Sequence, residues 1–165
     1  MGKIALVAAL ILAAPAAAAP LSKVQLNCGM AKAPAGFGDQ LAAAFIVMDR
    51  TKLGPLKDRL GKFVSQCVAT KQVSRDQGEA YFSYLLARLP REALARQLTK
   101  SGIALAKVDL ALGFSGGKAA DGDAGELLDS AGFTESRLGA VNHQKLLTYA
   151  DLSRRMFSYQ AKLLA

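Results

Sequence analysis

The chain has 165 residues, a formal net charge of +8, two cysteines and a single histidine. So few ligands exclude a transition-metal centre, and the absence of a C-x-x-C pair excludes a thioredoxin-like redox site. The length suits one domain with its own core, and abundant alanine, leucine, lysine and arginine without tryptophan point to helices rather than sheet.

Residues 1–18 have the order of a secretory signal: Lys3, an apolar run from Ile4 to Leu12, the helix-breaking Pro15, then alanines. Small residues at Ala16 and Ala18 place cleavage after Ala18. A retained membrane anchor would need roughly 20 apolar residues, more than this stretch offers. The expected destination is the periplasm or the extracellular space. Removing Lys3 with the signal leaves a net charge of +7. Two cysteines in an exported chain then read as one structural disulfide, Cys28 to Cys67. Closing that loop is worth roughly 4 kcal/mol in the chain-entropy treatment.

Pro20 to Gly38 holds two prolines and three glycines without sustained periodicity, and reads as an irregular N-terminal arm of residues 19–38, pinned by Cys28. The helical domain is expected over residues 39–165. Asp39 is placed as the cap of a helix carrying Leu41, Phe45 and Met48. After Gly54-Pro55, Leu56, Leu60, Phe63, Val64 and Cys67 recur at helical spacing, which turns Cys67 inward, with Asp58 and Lys62 paired on the outer face. Ser74 and Gln77 form a capping box for a helix burying Phe82, Leu85, Leu86 and Leu89. Pro90 is taken to open a further helix with Leu94 and Leu98 inward, Glu92 paired to Arg96, and Gly102 as its stop. The stretch from Ile103 to Phe114 alternates like a strand yet also fits a helical face, and is assigned as helix. Asp123 with Glu126 opens a short helix ending at Gly132. Thr134 caps the last and longest helix, whose apolar stripe runs Leu138, Val141, Tyr149, Leu152, Met156, Tyr159 and Leu163. Asn142 and Lys145 fall inside that stripe, so this part either overhangs into water or lines a crevice. The fold expected is all-α: a single-domain bundle of about five to seven helices.

Three low-weight patterns bear on catalysis. Gly113 to Gly117 matches G-x-S-x-G with Ser115 at its centre, but the strand-to-helix context of that nucleophile turn is missing. His143 is the one base available to Ser115, and its place off the apolar stripe suits an ordinary surface residue. Glu135 offers a carboxylate for glycan cleavage, though a first-turn glutamate is already explained by the helix dipole. The acids Asp121, Asp123 and Glu126 lack the glycine and glutamate positions of a calcium loop. No residue pattern calls for a metal or a cofactor.

Without a catalytic constellation, the leading expectation is a non-catalytic binding or adaptor protein of the envelope. Its basic helical surface would meet an anionic envelope component or an acidic protein, a membrane surface included. The residues placed on that surface are Lys57, Arg59, Lys62, Arg91, Arg96, Lys100, Arg154 and Arg155. Aromatics are not interleaved with these charges, so no specific nucleic-acid signal arises. A small envelope hydrolase and a carrier of an apolar ligand are the alternatives.

Overall fold

A computed structural model describes residues 19–114 and 120–165. The expected signal peptide and Ser115 both lie outside these residues. Among the described residues the chain is all-helical, with eight helices: α1 (Lys23–Lys32), α2 (Phe37–Ile46), α3 (Arg50–Ala69), α4 (Gly78–Lys100), α5 (Leu105–Ala111), α6 (Ala124–Ser130), α7 (Glu135–Leu138) and α8 (Ala140–Leu164). None of them is long and apolar enough to cross a membrane.

The segment 19–38 is tied by the disulfide, but its centre is helical rather than extended. Ser22 and Gln25 form a reciprocal capping box at the start of α1, the Gln25 N–H donating to Ser22 Oγ at 3.3 Å and the Ser22 N–H to Gln25 Oε1 at 2.7 Å. Helix α1 buries Leu26 and Cys28, and Cys28 bonds to Cys67 of α3 across a Cα separation of 6.1 Å. Gly36, at φ +77°, supplies the left-handed turn from which α2 starts. Asp39 therefore sits in the first turn of α2 instead of capping it, and its carboxylate is spent on Arg96 and Gln97 of α4.

Two prolines expected at helix starts lie inside helices. Asp49 caps α3, its Oδ1 accepting the Thr51 and Lys52 N–H groups, so Pro55 falls in the second turn of that helix. Pro90 is buried in the middle of α4, which runs on to Lys100 because buried residues on both sides of it, Leu85 and Leu89 before and Leu94 and Leu98 after, belong to the core. The Leu86 carbonyl forgoes its usual helical donor as a result. Farther along, Ser74 and Gln77 make the expected reciprocal bonds, but around the turn before α4, whose N-cap is Gln77 with no side-chain cap bond; Ile103 to Phe114 carries helix α5, and Gly102 and Gly132 close their helices at positive φ. Thr134 makes no side-chain cap, and Gly139 at φ +76° divides the final segment into α7 and α8. The buried stripe of α8 accordingly begins at Leu146, while Val141 is 70% exposed.

Helices α4 and α8 share the most extensive contact in the molecule, and α2 and α3 also pack on α4. Tyr81, Leu85, Leu94 and Leu98 of α4 meet Leu146, Tyr149 and Leu152 of α8 in one core with Phe37, Leu41 and Leu60, all fully buried. Two tyrosine hydroxyls must be satisfied inside it. Tyr81 takes the Gly29 N–H at 2.8 Å and faces the Gln25 and Leu26 carbonyls at 3.2 Å, fastening α1 to α4. Tyr149 does the same work between α8, α4 and α5.

Candidate ligand-binding cleft

Helix α4 presents Arg88 and Arg91 three residues apart, hence on neighbouring faces of one turn. Both guanidinium groups are braced. Arg88 Nε donates to Glu92 Oε1 at 2.7 Å, and its Nη1 donates to the Tyr84 hydroxyl at 2.8 Å. Arg91 Nε donates to Ser153 Oγ at 2.8 Å, and its Nη2 donates to the Tyr149 hydroxyl at 2.7 Å. The Tyr149 hydroxyl in turn donates to Asp109 Oδ1 at 2.8 Å, with Asp109 Oδ2 4.0 Å from Arg91. Arg91 also lies over the Tyr149 ring at 4.8 Å and the Phe157 ring at 5.9 Å.

Burial pushes the Tyr149 hydroxyl well above the usual phenol range; Arg91 opposes the shift, and the bond to Asp109 adds to it. Tyr149 thus stays protonated and serves as a fixed link between cation and carboxylate. Burial likewise raises Tyr84, against the pull of Arg88.

Tyr84, Arg88, Arg91, Glu92 and Phe157 line a cleft of about 400 Å³ between α1, α4 and α8, with Tyr149, Ser153 and Asp109 behind Arg91 and outside the lining. Leu26, Tyr84, Met156 and Phe157 form its apolar walls; Lys23, Asn27, Arg88, Arg91, Glu92 and Gln160 are its polar groups. Among the described residues, Arg88 Nη2 and Arg91 Nη1 take no protein partner, and neither is a buried unpartnered atom. The Arg88 and Arg91 side chains are 21% and 17% exposed, and the exposed Lys23 lines the same cleft. Three cations against Glu92 make the cleft electropositive, and rigid guanidinium forks suit carboxylate or phosphate oxygens. A second cleft of similar size, about 410 Å³, lies between Ala19–Leu21 and residues 71–77. Its cations, Lys71 and Arg75, are exposed and their side chains make no ion pair or hydrogen bond among the described residues, so nothing presets their direction.

The eight basic residues expected to share a surface are dispersed. Arg91 turns inward to the cleft. Arg154 is half-buried and donates to the Gly122 carbonyl at 2.7 Å, clasping the chain between α5 and α6. Arg96 pairs with Asp39 and Arg155 with Asp151, and Arg59 lies over the Phe37 ring at 5.0 Å. Glu92 belongs to Arg88 rather than Arg96, and Asp58 makes no ion pair with Lys62. Lys57, Lys62 and Lys100 are exposed. At about 100° per residue, Lys57 and Arg59 fall on opposite flanks of α3.

Of the catalytic candidates, Ser115 lies outside the described residues, and Glu135 and His143 are not joined to each other. Glu135 is exposed at the start of α7. His143 is a correction to the surface placement: its side chain is only 15% exposed, with Nε2 3.6 Å from Asp129 Oδ1 between α8 and α6. No hydrogen bond or ion pair joins Glu135 to His143 among the described residues. Asn142, in the first turn of α8, donates to the carbonyl of Leu138, the last residue of α7, at 3.3 Å, and neither it nor Lys145 lines either cleft.

No protein-family model, curated protein or solved structure matches the chain. The cleft's own geometry is therefore what any functional argument must use. Of the groups that line or brace it, Lys23, Arg88, Ser153 and Asp109 have no role in the sequence reading, which gives Glu92 to Arg96 and puts Tyr149 on an apolar stripe.

Proposed function

We propose that the protein is an exported, non-catalytic binding protein that takes an anionic group of an envelope component in the α1–α4–α8 cleft. The observation that carries this reading is the pair of braced guanidinium groups, Arg88 and Arg91, that line one cleft together with Lys23. Bracing matters because an arginine already held by Tyr84, Glu92, Tyr149 and Ser153 loses little rotamer freedom when a ligand arrives. Export is supported by the signal-like residues 1–18 and by a disulfide, which persists in oxidising compartments.

The test is co-sedimentation of the purified protein with anionic lipid vesicles and, separately, with peptidoglycan sacculi, each at low and high salt. Binding to one polymer that weakens with salt and is lost in Lys23→Ala/Arg88→Gln supports the reading. Binding that survives both substitutions places the contact elsewhere on the basic surface. Absence of binding to either polymer removes this function and directs the search to a protein partner.

A further inference from the structure

Resting on the reading of this cleft as an anion site, we infer that its ligand is an acidic sugar: a hydroxylated ring bearing a carboxylate or a phosphate. The walls rule against an acyl chain. Leu26, Tyr84 and Met156 are each less than a tenth exposed and of the apolar walls only Phe157 is partly open, so the apolar surface left is small for an acyl tail, whose burial at about 25 cal/mol per Å² would contribute little. The rim rules against a bare inorganic anion. Glu92 stands in the same cleft with one oxygen engaged by Arg88 Nε, and it repels any ligand that brings only negative charge.

A ligand that offers O–H donors turns that repulsion into a hydrogen bond. Asn27 and Gln160 add two side-chain amides, each both donor and acceptor, which is the complement of a hydroxyl group. The cleft therefore combines two cationic forks, one carboxylate and two amides within about 400 Å³, enough for one or two sugar rings. Such a ligand has two sources in an envelope: a uronic-acid residue of a polysaccharide, or a phosphorylated sugar of a lipid headgroup.

The experiment is calorimetric titration of the purified protein with four probes: glucuronate, glucose 6-phosphate, glucose and inorganic phosphate. Glucuronate or glucose 6-phosphate is expected to bind at least about tenfold more tightly than glucose or phosphate. Whichever acidic probe is preferred identifies the polysaccharide or the phosphosugar source. Lys23→Ala and Asn27→Ala, both at exposed positions, are expected to weaken the acidic sugars with the melting temperature unchanged. Glu92→Gln is expected to narrow the gap by improving phosphate binding. Phosphate binding as tightly as glucose 6-phosphate would overturn the acidic-sugar assignment while leaving the anion cleft standing. Glucose binding as tightly as either acid, or no binding by any probe, would overturn both.

Discussion

Tyr149 is the residue on which the cleft's geometry depends most, because its hydroxyl accepts from Arg91 and donates to Asp109 in the same buried space. Tyr149→Phe keeps the ring and removes both bonds, leaving Arg91 and Asp109 to face each other at 4.0 Å. The expected cost is about 1–3 kcal/mol, the loss of a buried hydrogen-bonded hydroxyl. In thermal denaturation this is a fall of several degrees, about 3–4 °C per kcal/mol for a chain of this size; an unchanged melting temperature would show that the link is dispensable. Asp49 gives a prediction in pH. The Thr51 hydroxyl and the Lys52 N–H hold its carboxyl at about 2, below the ordinary 3.8. A depressed acid contributes stability above its unfolded value and loses it as pH falls through the folded one. Between pH 4 and pH 2 the urea midpoint of the protein should therefore drop more steeply than that of Asp49→Asn, and parallel curves would contradict this assignment.

At the scale of elements, the packing of α2 on α4 is set by Gly38. A Cβ there would lie 2.7 Å from the Leu89 carbonyl oxygen, a backbone atom that cannot rotate away. Gly38→Ala should destabilise by about 1–3 kcal/mol. Gly54 in α3 has nothing within 4 Å of such a Cβ. Gly54→Ala should therefore raise stability by about 0.5–1 kcal/mol, the helix-propensity difference. Chemical denaturation of the two variants side by side checks both signs. The disulfide joins α1 to α3 across 39 residues, and Cys28→Ala/Cys67→Ala is expected to lower stability by up to about 4 kcal/mol. Because Tyr81 still fastens α1 through Gly29, the variant should keep its helical circular-dichroism signal at low temperature while melting earlier.

Over the whole molecule, charge and site are separable. Lys57, Arg59 and Lys62 contribute to the long-range field but line neither the α1–α4–α8 cleft nor the one beside Ala19. If the proposed polymer binding holds, neutralising all three to Gln should reduce its salt dependence and slow association, while saturation persists. Lys23→Ala/Arg88→Gln changes the net charge by less and should weaken binding more. Salt titrations of the two variants in the co-sedimentation assay distinguish a diffuse basic surface from a directed one; equal losses in proportion to charge would favour the diffuse surface.

What the sequence by itself determined were features whose cause is local. Helix composition, the Ser74–Gln77 box, the Asp123 cap and the stops at Gly102 and Gly132 depend on residues a few positions apart, and a two-cysteine count leaves one pairing. Only the tertiary structure decided where local signals compete with packing. Pro55 and Pro90 read as helix starts, yet lie inside continuous helices because the burial of both halves against the core outweighs one lost hydrogen bond. The cleft was illegible for a related reason: Arg91 meets partners 18, 58 and 62 residues away, Asp109, Tyr149 and Ser153, and no spacing along the chain encodes which cations the fold will brace and which it leaves in water.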